Sequence, residues 1–206
     1  HRDLHLSLRR QRQMCIRDSP EGTYANKTIT VTDAAGNAGS LTIPTFVIDT
    51  TSPIMTITAS EVSDGDISND TNLSLTFTSS EATSNFIQSD ITLGNGTLSN
   101  FTVVSSTVYT ATFTPSAQGA CTIDVAAGAY TDTVGNNNLA ATQFNWTFDT
   151  VAPTLSNVSI ASSNSTTTLA KVNNVITLTM TASETISTPV VTFQSGGADI
   201  TDTSII

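Results

Sequence analysis

The residues of this 206-residue chain that could do chemistry are carboxylates and carboxamides. Asp49 opens the run Asp-Thr-Thr-Ser-Pro. Glu81 closes Leu-Thr-Phe-Thr-Ser-Ser-Glu. Asp132 opens Asp-Thr-Val-Gly-Asn, which ends at Asn136. Asp64 and Asp66 share the polar run Ser-Asp-Gly-Asp-Ile-Ser-Asn-Asp with Asp70, while Asp149 and Glu184 stand in second copies of the Asp49 and Glu81 motifs. Oxygen donors of this kind are what Ca²⁺ takes, six to eight of them at about 2.3–2.6 Å. The expected metal ligands are therefore Asp49, Glu81, Asp132 and Asn136 in one group, and Asp64, Asp66, Asp149 and Glu184 in another. The same residues have a plainer use. Asp-x-x-Gly-Asn suits a tight turn, because Asp and Asn bond their own backbone and Gly takes positive φ, and exposed acids aid solubility. The D-x-D start at Asp64 lacks the Gly and the distal Glu of an EF-hand loop.

Other chemistries fail on inventory. Residues 20–206 contain no His and no Arg, so neither a Ser-His-Asp nor a Cys-His pair can form there. Glu21, Glu61, Glu81 and Glu184 are scattered and lack the aromatic cleft that a glycosidase would need. The expectation is a chain that is not an enzyme and requires no cofactor, with Ca²⁺ as the one ligand its side chains suit. Lys27 and Lys171 are the only bases after residue 19, against 15 acids, a net charge of −13 for that stretch. Nucleic acid needs Lys and Arg to neutralise phosphate and is excluded as a partner, as are anionic membrane surfaces. No apolar run reaches the length of a membrane span, so no membrane insertion is expected.

The head of the chain has a different character. Residues 1–19 hold five of the seven basic residues, both histidines and Cys15. The stretch Arg9–Ser19, RRQRQMCIRDS, resembles translated sequencing-adapter read-through, and it lacks the apolar centre of a signal peptide. Residues 1–19 are expected to be non-native and disordered.

Three motifs repeat at one period. Asp33-Ala-Ala-Gly-Asn recurs 99 positions later at Asp132, Asp49-Thr-Thr-Ser-Pro 100 later at Asp149, and the run ending at Glu81 103 later at Glu184. A shared period near one hundred marks stacked domains. The units are 20–49, the C-terminal part of one repeat; 50–149, a complete repeat; and 150–206, the N-terminal half of a further one. Pro53 and Pro153 fix φ at the boundaries and extend the residue before them, giving short, stiff joints.

Within 50–149 the apolar residues alternate with threonine and serine, the signature of half-buried strands. The chain contains 39 Thr and 25 Ser, which suit strand faces and turns. Strands are expected around Met55–Ile57, Leu73–Phe77, Ile91–Leu93, Phe101–Val104, Tyr109–Phe113, Cys121–Val125 and Phe144–Phe148. Seven short strands in about one hundred residues predict a Greek-key β-sandwich. Tyr109, Phe113, Phe144, Trp146 and Phe148 share the inward phase, and Cys121 reads as a small core residue.

The run Ser52 to Asp149 resembles the bacterial Ig-like repeats of large secreted surface proteins. The matching pieces are the DTTSP joint, LTFTSSEAT, SDITLGNGTLSNF, the long TVYTATFTPSAQGACTIDVAAGAYTDTVGNN and the closing FDT. The resemblance extends over nearly all of residues 20–206. It implies an all-β protein of tandem Ig-like Greek-key sandwiches, exported to the bacterial cell surface or beyond, in a structural or adhesive role. Neighbouring repeats of the same chain are the expected partners. A repeat that itself binds an extracellular glycan or a host or cell-surface protein is the alternative, as is an accessory segment of a secreted enzyme.

Loops of a seven-stranded sandwich alternate between its two poles. The loop at Glu81 and the loop at Asp132 fall at the entry pole beside Asp49, while the loop at Asp64 and Asp66 falls at the exit pole beside Asp149. Stacked end to end, such repeats would gather each acidic group at a junction, where Ca²⁺ would relieve the repulsion and stiffen the array.

Overall fold

The computed structural model describes residues 20–192 together with 194–195 and 198–199. Residues 1–19, expected to be foreign and disordered, lie outside the described residues. The chain divides into two compact units, one ending at Asp149 and one running from Thr150 to Ile206.

The first unit contains the expected sandwich. Strands β5 (Met55–Ala59), β7 (Leu73–Ser79), β10 (Val108–Pro115) and β9 (Gly96–Val103) form one sheet in the order β5-β7-β10-β9. Strands β6 (Ile67–Ser68), β12 (Phe144–Phe148), β11 (Gly119–Val125) and β8 (Ile91–Gly94) form the other, in the order β6-β12-β11-β8. Alternation drives the layering. In β7 the residues Leu73, Leu75 and Phe77 are buried while Ser74 and Thr78 face out. In β11 Cys121, Ile123 and Val125 are buried in the same way. The inward side chains of both sheets meet in one core that includes Met55, Phe77, Phe113 and Trp146. Among the described residues the only helical piece is one 3₁₀ turn, Gln88–Asp90.

Two expectations need adjustment. The fourth strand begins at Gly96, five residues before Phe101, because Asn95 takes a left-handed φ of 56° and turns β8 straight into β9. Gly96 then lies against the ring of Phe113, with no room for a Cβ. The polar run after Glu61 is not wholly a loop, since Ile67 and Ser68 pair in parallel with Thr147 and Phe148 of β12.

Ahead of the sandwich, β1 (Gly22–Tyr24) pairs with β4 (Phe46–Ile48), and β2 (Lys27–Thr32) pairs with β3 (Ala38–Ile43). The β1/β4 register sets Gly22 against Ile48 and Tyr24 against Phe46. It mirrors β11/β12, where Gly119 faces Phe148 and Cys121 faces Trp146.

The second unit, described by itself, holds the hairpin β13 (Leu155–Ser162) and β14 (Ile176–Ala182) and the short pair β15 (Gln194–Ser195) and β16 (Ala198–Asp199). Leu155 faces Ala182 and Ser156 faces Thr181, as Met55 faces Ser79 and Thr56 faces Thr78 in β5/β7. The register shifts between Ser156 and Ser159, where Asn157 has a φ of 50°.

Candidate metal centre at the domain entrance

Asp49 follows β4 directly, Glu81 lies two residues beyond β7, and Asp132 sits in the connection between β11 and β12. One ligand oxygen from each lies within 4.8 Å of the others. Among the described residues this is the one group of three or more His, Cys, Asp or Glu close enough to share a cation.

The Asp132 loop is built as a tight turn. The Asp132 Oδ1 accepts hydrogen bonds from the backbone N–H groups of Val134 (2.8 Å), Gly135 (2.6 Å) and Asn136 (2.9 Å). Gly135 supplies the φ of 107° that this wrap requires. The Asn136 Nδ2 donates to Asp132 Oδ2 at 2.7 Å and also to the Asp49 carbonyl at 3.0 Å. Asn136 thus ties the turn to the incoming chain. The same turn recurs at Asp33, whose Oδ1 accepts from Ala35 and Asn37 and whose Oδ2 accepts from the Asn37 side chain. There the turn is exposed, whereas Asp132 is buried.

Glu81 is brought to Asp132 by contacts beneath both loops. The Asn85 Oδ1 accepts from the Thr131 N–H at 3.1 Å, and the Asn85 Nδ2 donates to Thr131 Oγ1 at 3.3 Å. The hydroxyls of Ser79 and Tyr130 share a bond of 3.2 Å in the core. Buried Asn138 braces the far side of the Asp132 loop, accepting from the Tyr130 N–H and donating to the carbonyls of Ala126 and Leu139. Phe86 packs edge-on against Tyr109 and Tyr130 below.

The electrostatics are those of crowded anions. Burial raises the Glu81 carboxyl above its ordinary range, and the charges of Asp49, Asp132 and Glu21 raise it further. The Glu81 Oε2 is enclosed and accepts no hydrogen bond. Asp132 goes the other way. Burial pushes it up, but the Asn136 side chain and the three backbone N–H groups outweigh that and hold it below the usual Asp range. Glu21 is a nearby acid that sequence reasoning did not assign to the site. It accepts hydrogen bonds from the Thr50 backbone and from the hydroxyls of Thr50 and Thr51, which hold its carboxyl low. With Lys27 and Lys171 the only bases after residue 19, few side-chain cations are available to offset these acids.

The structure thus brings together Asp49, Glu81, Asp132 and Asn136. The second expected group is shared between the two units, with Asp64, Asp66 and Asp149 in the first and Glu184 in the second. The Asp64 Oδ1 accepts from the N–H and side-chain amide of Asn145, at 2.7 and 2.8 Å, and Asp66 accepts from the Ser63 N–H at 2.8 Å. These two carboxylates serve as turn and edge acceptors, and they belong to no cation-sized group among the described residues. Asp149 directly follows β12, as Asp49 follows β4, and Glu184 lies two residues beyond β14, as Glu81 lies beyond β7. By position in the fold, Asp149 and Glu184 are counterparts of Asp49 and Glu81.

The remaining candidates for chemistry are structural. Cys121 is fully buried, and burial pushes its thiol up, away from the reactive thiolate. Every aromatic side chain between residues 50 and 149 is buried or half-buried, so none forms an exposed platform. Among the described residues no helix is long and apolar enough to cross a membrane.

Residues 49–148 match the family model described as the bacterial Ig-like domain. No curated protein and no solved structure matches the chain.

Proposed function

We propose, on the premise that residues 49–148 form a bacterial Ig-like domain, that this chain is a non-catalytic spacer segment of an exported repeat protein, with Ca²⁺ bound where each domain receives the chain. The observation that carries the reading is the convergence of Asp49, Glu81 and Asp132 within 4.8 Å at the point of entry. Tight turns explain the Asp132 bonds. They do not explain why Glu81 is held against two other acids with an enclosed oxygen left unbonded. A buried acceptor without a donor is costly, and a divalent cation removes both that cost and the repulsion. Two unit charges at this separation repel by about 1 kcal/mol in water and by more where water is excluded.

The tandem arrangement is supported by the strand registers. The β1/β4 ribbon repeats the β11/β12 pairing, and the β13/β14 hairpin repeats the start of the β5/β7 pairing. Asp49 lies between the ribbon and the sandwich, so a cation on Asp49, Glu81 and Asp132 would fasten incoming chain to domain. Asn136 already makes one such link through the Asp49 carbonyl. The inward aromatics favour a spacer over a glycan-binding repeat, because sugar recognition draws on exposed rings.

Extracellular calcium modules bind at about 10⁻⁴–10⁻³ M. At 1 mM Ca²⁺ such a site adds about 0.4–1.4 kcal/mol to stability. The test is the melting temperature and small-angle scattering length of residues 20–206 in EDTA and in millimolar Ca²⁺. A higher melting temperature and a longer, narrower particle with Ca²⁺ are expected. No change in either quantity would remove calcium from the reading.

A further inference from the structure

The Asp64-Gly65-Asp66 run stands apart from the acidic group at the domain entrance, and each of its residues is bonded to β12 or to the residue that ends it. The Asp64 Oδ1 accepts from both the N–H and the side-chain amide of Asn145, at 2.7 and 2.8 Å. Gly65, at a φ of 87°, turns its N–H onto the Asn145 carbonyl at 2.7 Å. The Asp66 carbonyl accepts from the Thr147 N–H at 2.8 Å, and the Ser68 carbonyl accepts from the Asp149 N–H at 3.0 Å. The Asp66 side chain accepts from the Ser63 N–H and so pins the loop. Five hydrogen bonds thus fasten residues 64–68 to residues 145–149. The strands they join, β6 and β12, are the one parallel pair among the described residues.

We infer that these bonds form a force clamp, which carries the load when the chain is pulled through Asp49 and Asp149. A clamp of this kind serves a segment that is pulled along its length, a use that rests on the spacer reading. The direction of pulling decides which bonds are strained. The chain enters the sandwich through β5, runs on to β6, and leaves from the C-terminal end of β12. Tension therefore draws β6 from its N-terminal end and β12 from its C-terminal end. Two parallel strands drawn from opposite ends slide past each other, so their bonds are strained together instead of opening one at a time. The other route through the sheets is longer. It crosses from β5 to β7, follows the chain to β8, and crosses β11 to reach β12. Unfolding under force is governed by the unfolding rate, and bonds broken at the barrier set that rate. Asp64 is a charged acceptor, and hydrogen bonds to charged groups are the stronger kind.

The experiment holds the full 206-residue chain by its two ends at constant force, with reductant, so that cysteines do not cross-link, and with EDTA, so that calcium takes no part. The step to follow is the largest, since unfolding residues 50–149 releases roughly 300 Å of chain. Asp64→Ala should raise the rate of that step about tenfold, through loss of hydrogen bonds to a charged acceptor. Asp64→Asn, which keeps an acceptor oxygen without the charge, should raise it less. Asp90→Ala is the comparison. It removes a carboxylate that accepts the Ile87 N–H at 2.9 Å, beside β8 at the opposite edge of the sheet from β6. Urea unfolding should show a loss of stability for both alanine variants, while Asp90→Ala leaves the rate under force unchanged. An Asp64→Ala chain that opens at the parent's rate would overturn the clamp, and so would an Asp90→Ala chain that opens as fast as Asp64→Ala. Either failure would leave the calcium-bound spacer standing, because that reading rests on Asp49, Glu81 and Asp132 and on measurements made with Ca²⁺.

Discussion

Asn136 and Asp49, 87 positions apart in sequence, are joined by a hydrogen bond of 3.0 Å from the Asn136 side-chain amide to the Asp49 carbonyl. The same amide nitrogen holds Asp132 at 2.7 Å. One side chain therefore fixes both the turn that presents a carboxylate and the strand exit that presents another. Asn136→Ala should uncouple them. The expected result is a sandwich that stays folded but whose Ca²⁺ affinity drops roughly tenfold, the scale seen when residues orienting metal ligands are lost. Calcium titration of the variant beside the parent chain checks this.

Removing Asp132 should cost more stability than removing its counterpart at Asp33. The Asp132 carboxylate accepts three backbone N–H groups and one side-chain amide in a buried loop. Asp132→Ala leaves those donors without their acceptor, a loss of about 2 kcal/mol in urea unfolding. Asp33→Ala breaks a similar set of bonds in an exposed turn, where water replaces them, and should leave the unfolding midpoint of the 50–149 sandwich where it was.

The acid response of the metal-free protein follows from Glu81. Its folded carboxyl lies above the ordinary Glu value of 4.5, so the folded state binds the proton more tightly than the unfolded chain. Stability should therefore rise as the pH falls from neutral through the raised Glu81 range. Asp132 opposes this further down. Its folded value lies below the ordinary 3.8, so its contribution is present above that value and is lost as the pH falls through its folded value. Urea midpoints in EDTA should pass through a maximum in mildly acidic solution. In Glu81→Gln the rise from neutral should disappear while the fall in strong acid remains.

Gly96 is fixed by packing rather than by backbone angle. A Cβ at that position would sit 2.1 Å from the tip of the Phe113 ring, which is itself fully buried. Gly96→Ala should destabilise the sandwich by roughly 1–3 kcal/mol, as overpacking of a filled core does, measurable as a lower midpoint in urea. Gly96→Ala with Phe113→Leu should recover part of the loss.

The strands that could be read from the sequence were those with one buried face. β5, β7, β10, β11 and β12 alternate cleanly because each faces core on one side and water on the other. The start of β9 was hidden because Gly-Asn-Gly reads as a loop until Asn95 takes its left-handed turn. Phe86, Tyr130 and Asn138 were missed for another reason. They lie in connections between strands, where no period marks which side chains turn inward, and yet they are buried and support the site. Of the site itself, Asp49, Glu81, Asp132 and Asn136 were legible because each recurs in, or flanks, a repeated motif. Glu21 was not, since its role depends on its bonds to Thr50 and Thr51, 29 and 30 positions away. The expected grouping of Asp64 and Asp66 with Asp149 and Glu184 rests on loop poles and spans the two units. Pole membership places residues at one end of a sandwich, and the bonds from Asn145 and Ser63 then decide where the Asp64 and Asp66 carboxylates point.

The most direct measurement is calorimetric titration of residues 20–206 with Ca²⁺, run in parallel on Glu81→Gln. The expected result is saturable Ca²⁺ binding to the parent chain, with a dissociation constant of about 10⁻⁴–10⁻³ M and one site fewer in Glu81→Gln. A parent chain that takes up no Ca²⁺ at millimolar concentration, or a Glu81→Gln variant that binds it equally well, would contradict a cation held by Asp49, Glu81 and Asp132.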